Sequence, residues 1–292
     1  MIINSKKICL GTAQFGLDSY SNYFKKKIRI TEIKKILNYS KKKKLKYIDT
    51  ALNYKGVSDR INKTNFNLNY FKIITKIPKP KNKEKNYFNK INYLIEKDLE
   101  KLKIKKYYAI LLHDCKNLTK RQIHLINKTK KLLIKKKYTK YFGISIYDQK
   151  EYFSLSKIIK PQIVQLPFSA VDCSEKKIKF IKYLRKKKIK VQARSIFLQG
   201  ILLNKLPKKM REDKKILKFR LNYEKFCKNN NISNLNFSLN YVMNKKYFES
   251  ILIGILSFSQ LKKILNVKKN KTIKFKFNLP KKLLRIDLWK KK

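Results

Sequence analysis

Short apolar runs rich in β-branched and aromatic residues recur along the chain, and each ends at a polar residue or a glycine. Such runs are typical of strands that are buried on both faces. The predicted strands are Ile8–Gly11, Tyr47–Thr50, Ile73–Lys76, Tyr108–His113, Tyr141–Ser145, Ile163–Gln165, Val191–Ser195 and Ile251–Gly254. Between them, apolar residues recur at helical spacing, as at Ile91, Leu94, Ile95 and Leu99, which predicts intervening helices.

Eight alternations of strand and helix predict an α/β fold with one closed barrel, a single (β/α)8 TIM barrel. An open doubly wound sheet is the alternative, and it usually carries a G-x-G-x-x-G sequence after its first strand. Here the first strand runs into Gly11-Thr12-Ala13-Gln14-Phe15-Gly16, whose glycines do not have that spacing. We therefore predict one barrel domain over residues 1–292, of which 266–292 form a basic C-terminal tail.

The end of this tail, Lys281–Lys292, is short and amphipathic. Packing of Leu284, Leu288 and Trp289 against the barrel is favoured over docking on a membrane surface. No apolar stretch is long enough to cross a bilayer, and the first ten residues do not resemble a signal peptide.

The net charge of +58 has two interpretations. A polyanion partner would explain it, and so would drift of composition in an A/T-rich genome. Drift is favoured because only eight of the 76 basic residues are Arg, and because the Lys residues are spread through every segment. We expect no specific nucleic-acid partner, although weak polyanion binding at low salt follows in either case.

Cysteine and histidine are scarce. The four cysteines are scattered without a C-x-x-C pair, which favours reduced thiols in a cytoplasmic protein. With two histidines, the chain has little material for a zinc site, and we predict no metal. The sequence does not indicate an oligomeric state.

Polar residues stand where the predicted strands end, which is where barrels of this kind place their active sites. Asp49, with Tyr54 shortly after it, Lys76 and His113 follow three successive strands. A Tyr with an ordinary pKa of ~10 needs help to exchange protons near neutral pH. An ammonium at ~4 Å, in an effective dielectric of ~20, offers ~4 kcal/mol, or ~3 pK units. Asp49 would hold Lys76 charged, and His113 would hold a carbonyl oxygen.

The joint pattern resembles one family, the aldo-keto reductases, in a branch found in bacteria. The matching segments are 10–16, 48–54, 74–76, 111–114, 142–145, 164–169, 193–200 and 253–261. The resemblance covers residues 8–265, and the set of Asp-x-x-x-x-Tyr, Thr-Lys and Leu-His-Asp is highly specific. It implies a nicotinamide-dependent reductase of aldehydes or ketones, acting on a small carbonyl compound, with sugar-derived carbonyls as one candidate class.

Carried over by position, the resemblance implies that Tyr54 is the proton donor and that Asp49, Lys76 and His113 tune it. It also implies a set of cofactor-binding residues. They are Gly11, Thr12, Ser145, Gln165, Arg194, Ser195, Leu198, Gly200, Gly254, Ser257 and Gln260. Ser145 and Gln165 would hold the nicotinamide carboxamide, and the residues from 254 onward would meet the adenosine.

Three positions depart from the pattern of the family. Ile146 stands where Asn is common, and Arg194 stands where an aromatic residue often stacks on the nicotinamide. Arg194 could stack on that ring, bind an anionic substrate or form an internal salt bridge. The loop after the last strand lacks a clear cation for a 2′-phosphate, so NADPH is favoured by the resemblance alone and NADH stays open. A non-catalytic barrel that binds polyanions is the alternative function, and a lyase or isomerase is a minor third.

Overall fold

Eight parallel strands in the described part of the chain close into one barrel. They are β1 (Ile8–Gly11), β2 (Tyr47–Asp49), β3 (Lys72–Ile77), β4 (Tyr107–Leu112), β5 (Thr139–Ser145), β6 (Ile163–Pro167), β7 (Lys190–Arg194) and β8 (Ser250–Gly254). Each strand pairs with the next along the chain, and β8 pairs with β1. The computed structural model describes residues 2–16, 28–203, 206, 208–270, 273, 277, 279, 280 and 283. The prediction of a single (β/α)8 TIM barrel is confirmed.

Helices connect successive strands and surround the barrel. They are α1 (Ile30–Lys42), α2 (Val57–Asn62), α3 (Tyr87–Leu102), α4 (Lys120–Lys135), α5 (Gln149–Ile159), α6 (Glu175–Lys186), α7 (Lys208–Arg211), α8 (Lys214–Asn229), α9 (Asn234–Met243) and α10 (Phe258–Leu265). The sequence of α3 explains why a helix packs against the barrel. Its apolar residues share one buried stripe, while its Lys and Glu residues lie on the outer face. In the described residues, no helix is long and apolar enough to span a membrane.

Every predicted strand is present, with ends that shift by at most a few residues. Thr50, His113 and Ser195 follow their strands and do not end them. The largest differences are two residues, at β5, which begins at Thr139, and at β6, which ends at Pro167. Lys140 interrupts the apolar pattern of β5 and is exposed, so hydrophobicity alone does not mark the start of this strand.

Two sides of each strand bury different sets of residues. A small cluster that includes Cys9, Tyr47, Ala109 and Ile163 fills the barrel interior. A much larger cluster lies between the barrel and its helices, with Ile33, Ile95 and Leu155 among its members. Side chains alternate along a strand, so every second residue of a strand points into the barrel. The last inward-pointing residue of each strand therefore lies at the mouth of the barrel.

Residues near both ends of the described chain meet. Ile3 N donates to Val267 O at 3.1 Å, and Ile2 forms an antiparallel bridge with Lys268. Further along the predicted tail, Leu283 is fully buried in a side cluster with residues of α8 and α9. Leu284, Leu288 and Trp289 lie outside the described residues, and the assignment of 266–292 as a separate tail stays a prediction.

Candidate active site

The mouth at the carboxyl end of the barrel holds a buried ion pair. Lys76, on β3, donates from Nζ to Asp49 Oδ1 on the neighbouring strand β2, and also to Thr50 O at 3.1 Å. The side chains are 2% and 1% exposed. A buried ion pair is tolerated when the two charges compensate each other, so the contact with Asp49 fixes the direction of the Lys76 side chain. This is the arrangement predicted for these two residues.

Amide side chains extend this pair across the barrel. Gln165, on β6, donates from Nε2 to Asp49 Oδ2 at 2.8 Å and also to Gln192 Oε1. Gln192 in turn donates to Ser250 Oγ at 3.0 Å. The sequence analysis did not select Gln192, although its register opposite Gln165 on β7, two residues before Arg194, could have indicated it.

Tyr54 lies above the ion pair, just after β2, and is partly exposed. Its ring centroid is 5.7 Å from Lys76 Nζ and 5.8 Å from the ring of His113, which it meets edge to face. A backbone hydrogen bond from Leu52 N to Lys76 O at 3.0 Å holds this segment over β3. The structure therefore brings together the four residues predicted to carry the chemistry.

The electrostatics of Tyr54 differ from the expected ones. Burial raises the pKa of its phenol, and the carboxylate of Asp49 raises it further. The cation that lowers the pKa of Tyr54 is Arg194, since the charge of Lys76 is compensated by Asp49 in the ion pair. Tyr147 acts in the opposite direction, and it too was missed, since nothing in the sequence marks one tyrosine among 18.

His113 is positioned from two sides. Its backbone N donates to Ile77 O at 2.9 Å, and its Nδ1 lies 3.1 Å from Asn53 Oδ1. The contact with Asn53 orients the ring and makes Nδ1 the protonated nitrogen when the amide oxygen faces it. Asn53 lies inside the Asp-x-x-x-x-Tyr segment, yet its type and spacing alone did not identify it.

Arg194 spans the mouth from β7 towards β5. It donates to Ile146 O at 3.2 Å and to Ser195 Oγ at 3.4 Å, and its Cζ lies 4.2 Å from the centroid of the Tyr147 ring. These partners are neutral. Among the described residues, no carboxylate lies within salt-bridge distance of Arg194, so the internal salt bridge considered from the sequence is not formed there.

The residues predicted to hold the nicotinamide lie at the same mouth. Ser145 and Gln165 are buried, and Ser145 Oγ is 3.5 Å from Gln165 Oε1. Thr12 is also buried, and its hydroxyl donates to Asp49 O at 3.1 Å. Because Gln165 Nε2 is already bonded to Asp49 and Gln192, the Ser145 hydroxyl and Gln165 Oε1 are the atoms available to a carboxamide.

The loop of Ser195, Leu198 and Gly200, which the family resemblance assigns to cofactor binding, has an unusual backbone. Ser195, Leu198 and Gln199 have φ of 57°, 46° and 53°, and Gly200 has φ of 93°. Left-handed conformations cost free energy for residues other than Gly, and they cluster where a loop is shaped for a ligand.

At the end predicted to meet the adenosine, Ser257 Oγ accepts from Gln260 N at 3.2 Å, and Gln260 Oε1 accepts from Leu256 N at 2.8 Å. These two side chains therefore cap α10.

Two features bear on whether the residues present fit a nucleotide cofactor at the edge formed by β1 and β8. Gly11 and Gly254 pair in register at the ends of β1 and β8, and the side chain of Gln14 lies close over Gly254. A Cβ on Gly254 would lie 2.6 Å from Gln14 Nε2, and Gln14 Oε1 is buried without a hydrogen-bond partner. Among the described residues, no cluster of three His, Cys, Asp or Glu could hold a metal ion.

Comparisons with known proteins agree with this geometry. The model of the aldo/keto reductase family matches residues 7–278. A Pseudomonas aeruginosa protein assigned to the aldo-keto reductases superposes with a TM-score of 0.65 at 12% identity, covering 92% of this chain and 93% of that one. The glycerol dehydrogenase of Gluconobacter oxydans superposes with a TM-score of 0.67 at 16% identity, covering 92% and 88%. At these identities the two structures show a shared fold. No curated protein matches the sequence.

Proposed function

The chain belongs to the aldo/keto reductase family of oxidoreductases, and we propose that it reduces an aldehyde or ketone to an alcohol with a nicotinamide cofactor. The observation that supports this most directly is the position of Tyr54. Its ring lies between Lys76 and His113, above a buried Lys76–Asp49 pair, at the mouth where a barrel enzyme binds its substrate.

In this proposal Tyr54 gives its phenolic proton to the carbonyl oxygen of the substrate. The raised pKa keeps the phenol protonated at neutral pH, as a donor requires. Arg194 places positive charge near the phenolate that remains after the transfer, and the ammonium of Lys76, paired with Asp49, lies 5.7 Å from the centroid of the same ring. Asp49 keeps the Lys76 ammonium in place, so it is a positioning residue.

His113 orients the carbonyl group. With Nδ1–H donated to Asn53 Oδ1, the imidazolium form has a second N–H, at Nε2, to donate to the carbonyl oxygen. If the Asn53 amide turns so that its NH2 faces Nδ1, neutral His113 can carry its proton on Nε2 and donate in the same way. In either form, Asn53 occupies Nδ1 and leaves Nε2 to donate to the substrate.

Ser145 and Gln165 would hold the nicotinamide carboxamide, and Gly11 and Gly254 would line the nucleotide at the ends of β1 and β8. When bound, the cofactor supplies the hydride that the side chains of the protein cannot supply. NADPH is the proposed cofactor, with NADH as the alternative. We also propose that the enzyme acts in the cytoplasm, since its four cysteines are unpaired.

The test is turnover of an aldehyde panel, which includes sugar-derived aldehydes, followed by the absorbance of NADPH or NADH. Tyr54→Phe should lower kcat by ~10² to 10⁴ while the thermal unfolding midpoint changes little. Tyr93→Phe, at a ring that is 53% exposed, is the matched control and should turn over like the wild type. Equal turnover by the Tyr54→Phe variant would show that another group donates the proton.

A second candidate is polyanion binding by a non-catalytic barrel, which the net charge of +58 favours. It differs from the first because it needs neither Tyr54 nor a cofactor. Its measurable consequence is binding that resists salt.

A further inference from the structure

The guanidinium of Arg194 lies inside the mouth of the barrel. Arg194 ends β7, yet its Nη2 donates to the backbone oxygen of Ile146, the first residue after β5. Because β6 lies between β5 and β7, the side chain must pass over the carboxyl end of β6, close to Gln165. The positive charge is therefore directed over the proposed reaction site.

Contacts on several sides fix the orientation of this guanidinium. The ring of Tyr147 lies against it, with 4.2 Å from Cζ to the ring centroid. Ser195 Oγ and Ile146 O accept from its two terminal nitrogens. A planar guanidinium that stacks in this way loses little freedom when a ligand binds, and each terminal nitrogen has a second N–H that can donate to an oxyanion.

The charge of Arg194 has no counter-ion in the described residues, and its Nε is buried without a hydrogen-bond partner. Two other shielded cations have carboxylate partners: Lys76 pairs with Asp49, and Lys177 lies 2.5 Å from Asp172. Arg60 is buried as well, and its guanidinium donates to Ile28 O. A cation that is partly removed from water and faces only neutral groups attracts an anion. Arg194 also lowers the pKa of Tyr54, which places both groups at the same mouth.

We propose that Arg194, held against Tyr147, binds an oxyanion of the substrate, so that the enzyme acts on carbonyl compounds that also carry a carboxylate or a phosphate. This inference rests on the proposed reductase function and names its substrate class. Reduction itself is unchanged: hydride adds to the carbonyl carbon, and the oxygen takes the proton of Tyr54. Arg194 contributes by holding the far end of the same molecule.

The test compares each aldehyde acid with its own methyl ester, which keeps the chain and removes the charge. A series of aldehyde acids of increasing length is used, together with glyceraldehyde and glyceraldehyde 3-phosphate to separate carboxylate from phosphate. We expect kcat/KM of the wild type to favour one charged member over its neutral partner. Arg194→Gln should lower kcat/KM for that charged substrate by about tenfold to about a hundredfold more than for its ester, whose own fall measures the loss of positive charge beside Tyr54.

Controls separate this effect from the general field of a protein with a charge of +58. Lys182→Gln removes one exposed charge from α6, outside the barrel, and should leave the preference unchanged. Arg194→Lys keeps the charge without the planar fork, and it should recover only part of the preference. Thermal unfolding of each variant identifies any that fail to fold.

Equal kcat/KM for acids and esters in the wild type, or an equal fall for both in Arg194→Gln, would overturn the inference. An equal loss of preference in Lys182→Gln would do the same. If no aldehyde is reduced at all, the proposed function fails. The anion site is then tested by calorimetry with unreactive butanoate and methyl butanoate, where wild-type binding of butanoate that Arg194→Gln abolishes supports the site and absence of binding overturns it.

Discussion

Lys76 and Asp49 form an ion pair between adjacent strands whose two side chains are at most 2% exposed. The pair also has neighbours that satisfy its remaining atoms: Thr50 O accepts from Lys76, and Gln165 donates to the second oxygen of Asp49. The pair is therefore part of the folded core as well as of the proposed site, and its removal has consequences for both.

Asp49→Asn should lower the free energy of unfolding by ~3–5 kcal/mol, because it leaves the Lys76 ammonium buried without a partner. Urea unfolding measures the change. Asp59→Asn is the matched control, since Asp59 pairs with Lys101 on the surface at 52% and 43% exposure, and it should cost less than ~1 kcal/mol.

The double variant Asp49→Asn/Lys76→Met should recover part of the stability that Asp49→Asn loses, because it removes the unpaired charge. Activity should not recover with it, since Tyr54 then has no ammonium below its ring. If Asp49→Asn and Asp59→Asn cost the same, the buried pair does not have the assigned energetic role.

Tyr87 predicts a pH dependence of stability. The side chain is fully buried and donates to Pro78 O at 2.7 Å, and burial raises the pKa of its phenol. Below the pKa of an unfolded Tyr, ~10, both states hold the proton and the hydrogen bond stabilises the fold. Above that pH the unfolded chain loses the proton and the folded chain keeps it, so this contribution falls by up to ~1.4 kcal/mol per pH unit.

Comparison of Tyr87→Phe with the wild type isolates this effect, because the titration of the many Lys residues is common to both. The variant should be less stable by ~1 kcal/mol at about pH 8, and the difference should shrink or reverse at about pH 11. Urea midpoints at the two pH values provide the measurement. A stability difference that is independent of pH would contradict the assigned cause.

Gly143 has no room for a side chain. A Cβ there would lie 2.3 Å from Ile163 O, a backbone atom of the neighbouring strand, and 2.6 Å from Leu111 Cδ2. Gly143→Ala should therefore destabilise the protein by ~1–3 kcal/mol or more, since the two strands must move apart. At Gly11 the nearest atom is the flexible end of Leu252, at 3.0 Å, so Gly11→Ala should cost less in the same thermal or urea unfolding. The reverse order would show that the strands yield more easily than side chains.

The high positive charge predicts non-specific binding to nucleic acids and heparin. If the charge reflects composition alone, binding should weaken by ~10³ to 10⁵ between about 50 and about 200 mM salt and show no preference among sequences. Fluorescence anisotropy with labelled DNA of several sequences measures both properties. Tight, selective binding at the higher salt would support the polyanion-binding barrel in place of the interpretation from composition.

The order and period of apolar runs predicted all eight strands and hence the closed barrel, because a strand buried on both faces leaves a local signature. The polar residues at strand ends could be predicted in the same way, since the mouth of a parallel barrel gathers the ends of all its strands. The exact ends of strands, such as the start of β5 at Thr139, could not be predicted in this way, because backbone pairing between strands continues past the apolar pattern.

The sequence by itself thus determined the fold and brought Asp49, Tyr54, Lys76 and His113 to one mouth. Only the tertiary structure decided which of the charged side chains pair with each other and which cation acts on Tyr54. The charge of Lys76 is compensated by Asp49 in the buried ion pair, and Arg194 is the cation that lowers the pKa of Tyr54. Partners such as Tyr147 and Gln192 also came from the folded chain alone, because a contact between side chains on different strands depends on distances and directions that no local pattern contains.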